Sequence, residues 1–237
     1  MSIFLNLKKH IFLPFIMLLS ATPSFTKIDK GGGKQKTAHI INDNFSLYCV
    51  LHLQRLGLAQ EVFEKAIVGW NDLNLQQKLQ HANLLSILDL SQSSNAKRLY
   101  VIDMVKKEVI FNTYAAHGRN SGGEYAKFFG NQNNSHKSSL GFYVTGETYN
   151  GAHGLSMRLK GMEKGINDEA ESRGIVMHGA NYVSENFIKQ CGRLGRSQGC
   201  PAVPAELCTV IVNIIKEGSC FFMYYPDKHY LSHSILV

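Results

Sequence analysis

The sequence predicts an α+β chain: a helical N-terminal portion, then a β-rich domain with one buried C-terminal helix. Three patterns carry this prediction. From Phe45 to about Leu90 apolar residues recur at three-to-four spacing, from Arg98 the period changes to two, and helical spacing returns behind Pro204. The 237 residues, 44% of them hydrophobic, suffice for one substantial domain with its own core. Charged residues make up 18%, and there is neither a low-complexity tract nor an internal repeat, which argues against wholesale disorder.

Taken in order, residues 1–24 read as a signal peptide. Lys8 and Lys9 precede an apolar run from Ile11 to Leu19, and small residues around Thr22-x-Ser24 follow, the layout of a cleavable secretory leader. The run is shorter than the ~20 apolar residues of a membrane span, although an uncleaved anchor stays open. Cysteine is absent near the cleavage region, which argues against a lipoprotein. The expected location is therefore the periplasm or cell envelope, with no stable membrane span after cleavage. Loss of Lys8 and Lys9, with no acid, takes the formal charge from +7 to +5. A basic exported protein suits an anionic surface such as a cell envelope. Clustered Lys and Arg with interleaved aromatics are missing, so nucleic acid is not an expected partner.

Residues 25–44, with Gly31–Gly33 between lysines, read as a flexible linker. Residues 45–96 read as a helical extension. Val62, Phe63, Ala66, Ile67 and Trp70 share one apolar face, Gly57 separates two helices, and Ala82–Leu90 reads as a third short helical piece. Residues 97–237 read as the β-rich domain. "RLYVIDM" and "EVIFNTYAA" form a hairpin across Lys106-Lys107, and "GFYVTG", "SMRLKG", "RGIVMHG" and "SCFFMYYP" are further strands. Ser184 caps a short helix "ENFIKQ" that Gly192 stops. Pro204 fits the first turn of a helix whose face is Leu207, Val210, Ile211, Ile214 and Ile215, ended by Gly218.

Five cysteines, Cys49, Cys191, Cys200, Cys208 and Cys220, leave at least one thiol unpaired within a monomer. The segment "GRLGRSQGCPAVP" crowds glycine and arginine around Cys200. A thiol, with a pKa of about 8.5, becomes a useful nucleophile when an imidazole or positive charge helps it ionise. Among the histidines followed by glycine, His117, His153 and His178, the last ends the apolar run Ile175–Met177, so a strand carries it to a sheet edge. The loop from Gly192 can return Cys200 to that edge. Gly179 removes bulk beside the imidazole, Gly199 admits close backbone approach, and N–H groups around Gly199 and Cys200 are candidate oxyanion donors. Spacing alone leaves a packed structural cysteine and a satisfied histidine open. A zinc site from His178, Cys191 and Cys200 lacks a Cys-x-x-Cys knuckle, and no metal or cofactor is expected.

"HGANYVSENFIKQCGRLGRSQGCPA" resembles the active-site stretch of the L,D-transpeptidase catalytic domain (the YkuD-like fold), in particular the branch called murein L,D-transpeptidase catalytic domain family 2. His178-Gly179 and Ser197-Gln198-Gly199-Cys200 match its His-Gly and Ser/Thr-His-Gly-Cys elements, and Gly141 and Tyr143 match an upstream segment. The likeness runs from about Arg98 to Tyr225. It implies a mixed β-sheet, sandwich-like catalytic domain acting on peptidoglycan stem peptides. In that chemistry Cys200 attacks the bond after the third residue of a tetrapeptide, D-alanine leaves, and a neighbouring amine takes the thioester to form a 3–3 cross-link. His178 moves the protons, and a backbone carbonyl, with Gly179 the nearest candidate, orients it. A cysteine L,D-carboxypeptidase and a non-catalytic wall-binding module are the alternatives.

Three departures from the family pattern stand out: Gln198 replaces the usual His, Ala202 the usual Arg or Asn, and Ser139 the usual Pro. The missing arginine's role falls to Arg196, Arg193 or Arg119, since a guanidinium fork suits a carboxylate. Ser197 is expected to brace the loop. His117 and Tyr143 are expected to line the donor cleft, and a silencing Cys191–Cys200 bridge stays open.

Overall fold

The computed structural model describes residues 44–152 and 154–237. The expected leader, the expected linker except its last residue, and His153 lie outside the described residues. Residues 44–50 form α1. The other helices are α2 (Gln60–Leu75), α3 (Glu185–Cys191), α4 (Ala205–Ile215) and α5 (Lys228–His233). Among the described residues no helix is long and apolar enough to cross a membrane.

Eight strands form one mixed sheet: β1 (Leu84–Asp89), β2 (Leu99–Asp103), β3 (Glu108–Thr113), β4 (Gly141–Gly151), β5 (Gly154–Gly161), β6 (Val176–Ala180), β7 (Ala202–Pro204) and β8 (Cys220–Tyr224). Their order is β3-β2-β1-β8-β4-β5-β6-β7, with β1/β8 and β6/β7 parallel and the other pairs antiparallel. The sheet nearly closes on itself. Beyond β3 the chain crosses to the opposite edge, where Ala116 bridges Ala202 of β7 and Gly118 bridges Ser197. This seam puts the segment after β3 directly against the Cys200 loop.

The core lies between the sheet and the helices. All five residues of β8 are buried, as aromatic and β-suited side chains require of a central strand. Phe222 of β8 stacks on Phe142 of β4 with ring centroids 4.1 Å apart. Val62, Phe63, Ala66 and Ile67 of α2 are buried in this core, as their spacing predicted. Trp70 is half-buried at its edge, its indole N–H donating to Ala82 O at 2.9 Å.

The structure corrects two expectations about the elements. Leu84–Asp89 is a strand rather than a helical piece, paired to β2 and β8, so the sheet begins inside the expected 45–96 extension. Its six residues are all buried, and a run buried on both faces shows no alternation to mark it as a strand. The buried face of α4 is Cys208, Ile211, Val212 and Ile215, whereas Val210 is exposed. Contact with β6 sets this rotation, because the Cys208 side chain packs against Gly179. The three-residue β7 and the helix α5 were also not foreseen.

Candidate active site

β6 builds the first half of the site. Val176–Ala180 is buried throughout and lies between β5 and β7. His178, 4% exposed, places Nδ1 3.0 Å from Gly179 O. A carbonyl oxygen only accepts, so Nδ1 carries the proton and donates, and in the neutral ring Nε2 holds the lone pair. The expected carbonyl anchor is therefore that of Gly179.

The loop entering β7 supplies the second half. His178 is in register with Ala202 of β7, and its N–H donates to Pro201 O at 3.4 Å. Cys200 thus lies two residues before that register position, in the loop that enters the neighbouring strand β7. Both side chains line one open cavity of about 560 Å³.

Local hydrogen bonds hold the loop. Ser184 Oγ caps α3 by accepting Phe187 N–H at 3.2 Å, and Gly192, at φ 73°, ends it in the left-handed region. Farther on, Ser197 Oγ donates to Cys200 O at 2.6 Å and accepts Gly199 N–H at 3.1 Å. Ser138 Oγ donates to Gly199 O at 2.9 Å and accepts Gly118 N–H at 3.0 Å. Gly199 adopts φ +123°, and a Cβ there would stand 2.9 Å from Lys137 O. At Gly118 a Cβ would stand 2.5 Å from His136 O and 2.8 Å from Gly199 Cα, so the seam closes only around glycine.

This bracing changes the expected oxyanion donors. Of the two, the Gly199 N–H is already engaged by Ser197 Oγ. Burial pushes the Cys200 thiol up, and the Val176 N–H, the Arg173 charge and the cysteine's own N–H pull it partly back. Val176 N–H lies 3.5 Å from Sγ, and the thiol points to Gly174 O at 3.8 Å. Burial thus favours the protonated thiol at rest. All five cysteines are free, so Cys191 is not bridged to Cys200.

The cavity has a polar lining with three arginines, Arg119, Arg196 and Arg173, beside His136, Asn133, Asn134 and Gln198, and neither Asp nor Glu among its described lining residues. Arg196 is exposed and donates from Nη1 to Gly122 O at 3.0 Å. Arg193 is turned elsewhere, donating to Leu194 O at 2.7 Å, and does not line this cavity. Ala202 is fully buried in the seam, bonded to both His178 and Ala116 strands, so a long side chain at that position has no cleft to enter.

Two residues expected in the cleft lie in the core instead. Tyr143 is fully buried, with its hydroxyl donating to Ser139 O at 3.0 Å. His117 is 1% exposed, with Nδ1 2.8 Å from Nη2 of the fully buried Arg98. Arginine can only donate, so the His117 ring is neutral with the proton on Nε2. Burial, then the Arg98 charge, pushes His117 down to about 3. Its carbonyl accepts Ser197 N–H at 3.0 Å, so it supports the loop from beneath.

Sequence reasoning missed Arg173, His136 and Tyr182 on the cavity wall. Burial, then the nearby Cys200, pushes the Tyr182 hydroxyl up to about 12. Arg173 sits five residues before His178, at the head of the same apolar run, and that position was its only signal.

The family model described as the L,D-transpeptidase catalytic domain matches residues 54–224. No curated protein matches the chain. Among solved structures, an L,D-transpeptidase from Mycobacterium smegmatis is 12% identical, covering 60% of this chain and 59% of that one at a TM-score of 0.38. An L,D-transpeptidase from Mycobacterium tuberculosis H37Rv is 13% identical, with coverage of 60% and 58% and a TM-score of 0.40. The helical cell shape determining protein Pgp2 (K307A mutant) from Campylobacter jejuni is 14% identical, with coverage of 68% and 54% and a TM-score of 0.40. The chain thus spans about three fifths of the length of the first of these structures. With residues 54–224 of its 237 matched, the chain belongs to the L,D-transpeptidase catalytic domain family.

Proposed function

We propose that the protein is an exported peptidoglycan L,D-transpeptidase with Cys200 as nucleophile and His178 as its base, forming 3–3 cross-links from tetrapeptide stems. The observation that carries this reading is the pairing of a carbonyl-anchored His178 with Cys200 in one cavity that has three arginines and no acid among its described lining residues. Stem peptides end in carboxylates, and Arg119 and Arg196 are the guanidinium groups on that wall suited to them.

The step runs from the thiol and a neutral imidazole, the form of His178 that can take a proton. As the third residue's carbonyl approaches, the Cys200 S–H proton passes to His178 Nε2 and sulfur attacks the carbonyl carbon. The Cys200 N–H faces the developing oxyanion. The C–N bond to D-alanine breaks, its nitrogen takes the proton from His178, and a thioester remains. An acceptor amine then attacks, giving a proton back through Nε2, and the thiol is restored. Gly179 O keeps the ring oriented in both half-reactions.

Incubation with disaccharide-tetrapeptides, followed by mass spectrometry of the products, tests the reading. Cross-linked dimer from wild type and none from Cys200→Ala supports it. Tripeptide alone makes the protein an L,D-carboxypeptidase, in which water takes the thioester. Unchanged substrate leaves a wall-binding module and overturns the catalytic reading.

A further inference from the structure

Arg173 stands out among the groups that the proposed chemistry leaves unassigned. It is half-buried, lines the cavity, and starts the chain segment that leads into β6. Its two terminal nitrogens carry four N–H groups, and each has an acceptor. Nη1 donates to Gly130 O at 2.9 Å and Ser139 Oγ at 2.6 Å. Nη2 donates to Lys137 O at 2.7 Å and Ser135 Oγ at 3.3 Å. All four acceptors belong to the segment 130–139, which forms the cavity wall bearing Asn133, Asn134 and His136.

We infer that Arg173 is a positioning residue that clamps the 130–139 wall to the nucleophile loop and keeps a fixed positive charge beside the Cys200 sulfur. This rests on the reading of Cys200 as the nucleophile. The clamp abuts the loop: a Cβ on Gly199 would lie 2.9 Å from Lys137 O and 3.4 Å from Arg173 Nη2. The same segment reaches the loop through Ser138, which donates to Gly199 O. Ser139, which stands where the family pattern has proline, supplies a hydroxyl that accepts from Arg173 and donates to Gly130 O at 2.9 Å. With both terminal nitrogens saturated, Arg173 has no fork left for a substrate carboxylate, which separates it from Arg119 and Arg196. Lysine retains the charge but has a single nitrogen with three donors, so it cannot hold four acceptors.

Other titratable or charged groups line the cavity that holds the sulfur: His178 on β6, Tyr182 just after it, and Arg119, His136 and Arg196. The test must therefore isolate Arg173 from these. The pH dependence of Cys200 alkylation by iodoacetamide, read on the Cys200 peptide by mass spectrometry, reports the thiol directly. Hydrogen–deuterium exchange of 130–139 reports the clamp. In Arg173→Gln the alkylation midpoint moves upward, the rate at neutral pH falls severalfold, and 130–139 exchanges faster. In Arg173→Lys the midpoint stays near wild type while exchange still rises. Ser139→Ala leaves the midpoint unchanged and speeds exchange at Gly130 and its neighbours. A wild-type alkylation profile in Arg173→Gln, or wild-type exchange in Arg173→Lys, overturns the inference. Should Arg173→Gln not fold, Arg173→Lys and Ser139→Ala decide between the two. Alkylation needs no turnover, so a Cys200→Ala protein that still processes stems would sink the nucleophile reading without touching this result.

Discussion

Acidification should destabilise this fold through His117, and replacement of that residue should remove the effect. The ring is 1% exposed and accepts from Arg98, so the fold holds it neutral, with its pKa lowered from 6.5 to about 3. The sign follows from linkage. Below about pH 6.5 the unfolded chain takes up a proton that the fold refuses until about pH 3, so stability falls as pH drops through that window. Crossing the whole window corresponds to about 5 kcal/mol, and the part lost between pH 7 and pH 5 to about 2 kcal/mol. For a domain of this size that is a fall in Tm of about 4–8 °C. In His117→Asn the amide oxygen takes over the acceptor role of Nδ1 without a titrating group. Thermal unfolding of both proteins at pH 7 and pH 5 isolates the effect, because the remaining titrating groups are the same in both. The variant should lose about 4–8 °C less than wild type on acidification. An equal fall in the two proteins refutes the neutral, Arg98-bound imidazole.

Three further outcomes follow. Gly199→Ala should cost about 1–3 kcal/mol and most of the activity, because its φ of +123° and the Lys137 carbonyl 2.9 Å from the new Cβ both oppose a side chain; Tm and turnover check this. Ser197→Ala frees the Gly199 N–H and removes the bond to Cys200 O, so turnover should fall about tenfold or more while Tm drops by only a few degrees. Burial pushes the Glu163 carboxyl up, so its charge costs stability at high pH and the cost fades as pH falls through the raised value; Glu163→Gln should therefore hold or raise Tm at pH 8 relative to wild type.

Much of this arrangement was legible in the sequence because its signals are local. The period-two runs that became β2 and β3, the Ser184 cap and the Gly192 stop need only neighbouring residues, and each formed as expected. A strand end and a glycine-rich return likewise put His178 and Cys200 in the lining of one cavity. What was hidden depends on distant partners. β1 is buried by β2 and β8, and its apolar run carries no alternation. β7 has three residues and ends in Pro204, which reads as a helix start rather than a strand. Tyr143 matches a motif, yet its place in the core is set by the packing of β4 between β5 and β8. Arg173 looks like an ordinary surface arginine until its four acceptors, 34 to 43 residues earlier in the chain, fold against it.

The most direct measurement is to trap the acyl-enzyme. Purified protein is mixed with a disaccharide-tetrapeptide, quenched in acid within the first turnover, digested, and searched for a tripeptide thioester. The account predicts that mass on the peptide containing Cys200, its accumulation slowed in His178→Asn and absent in Cys200→Ala. A stem-derived adduct on Cys191 or any other residue, or product formation by Cys200→Ala, would contradict it.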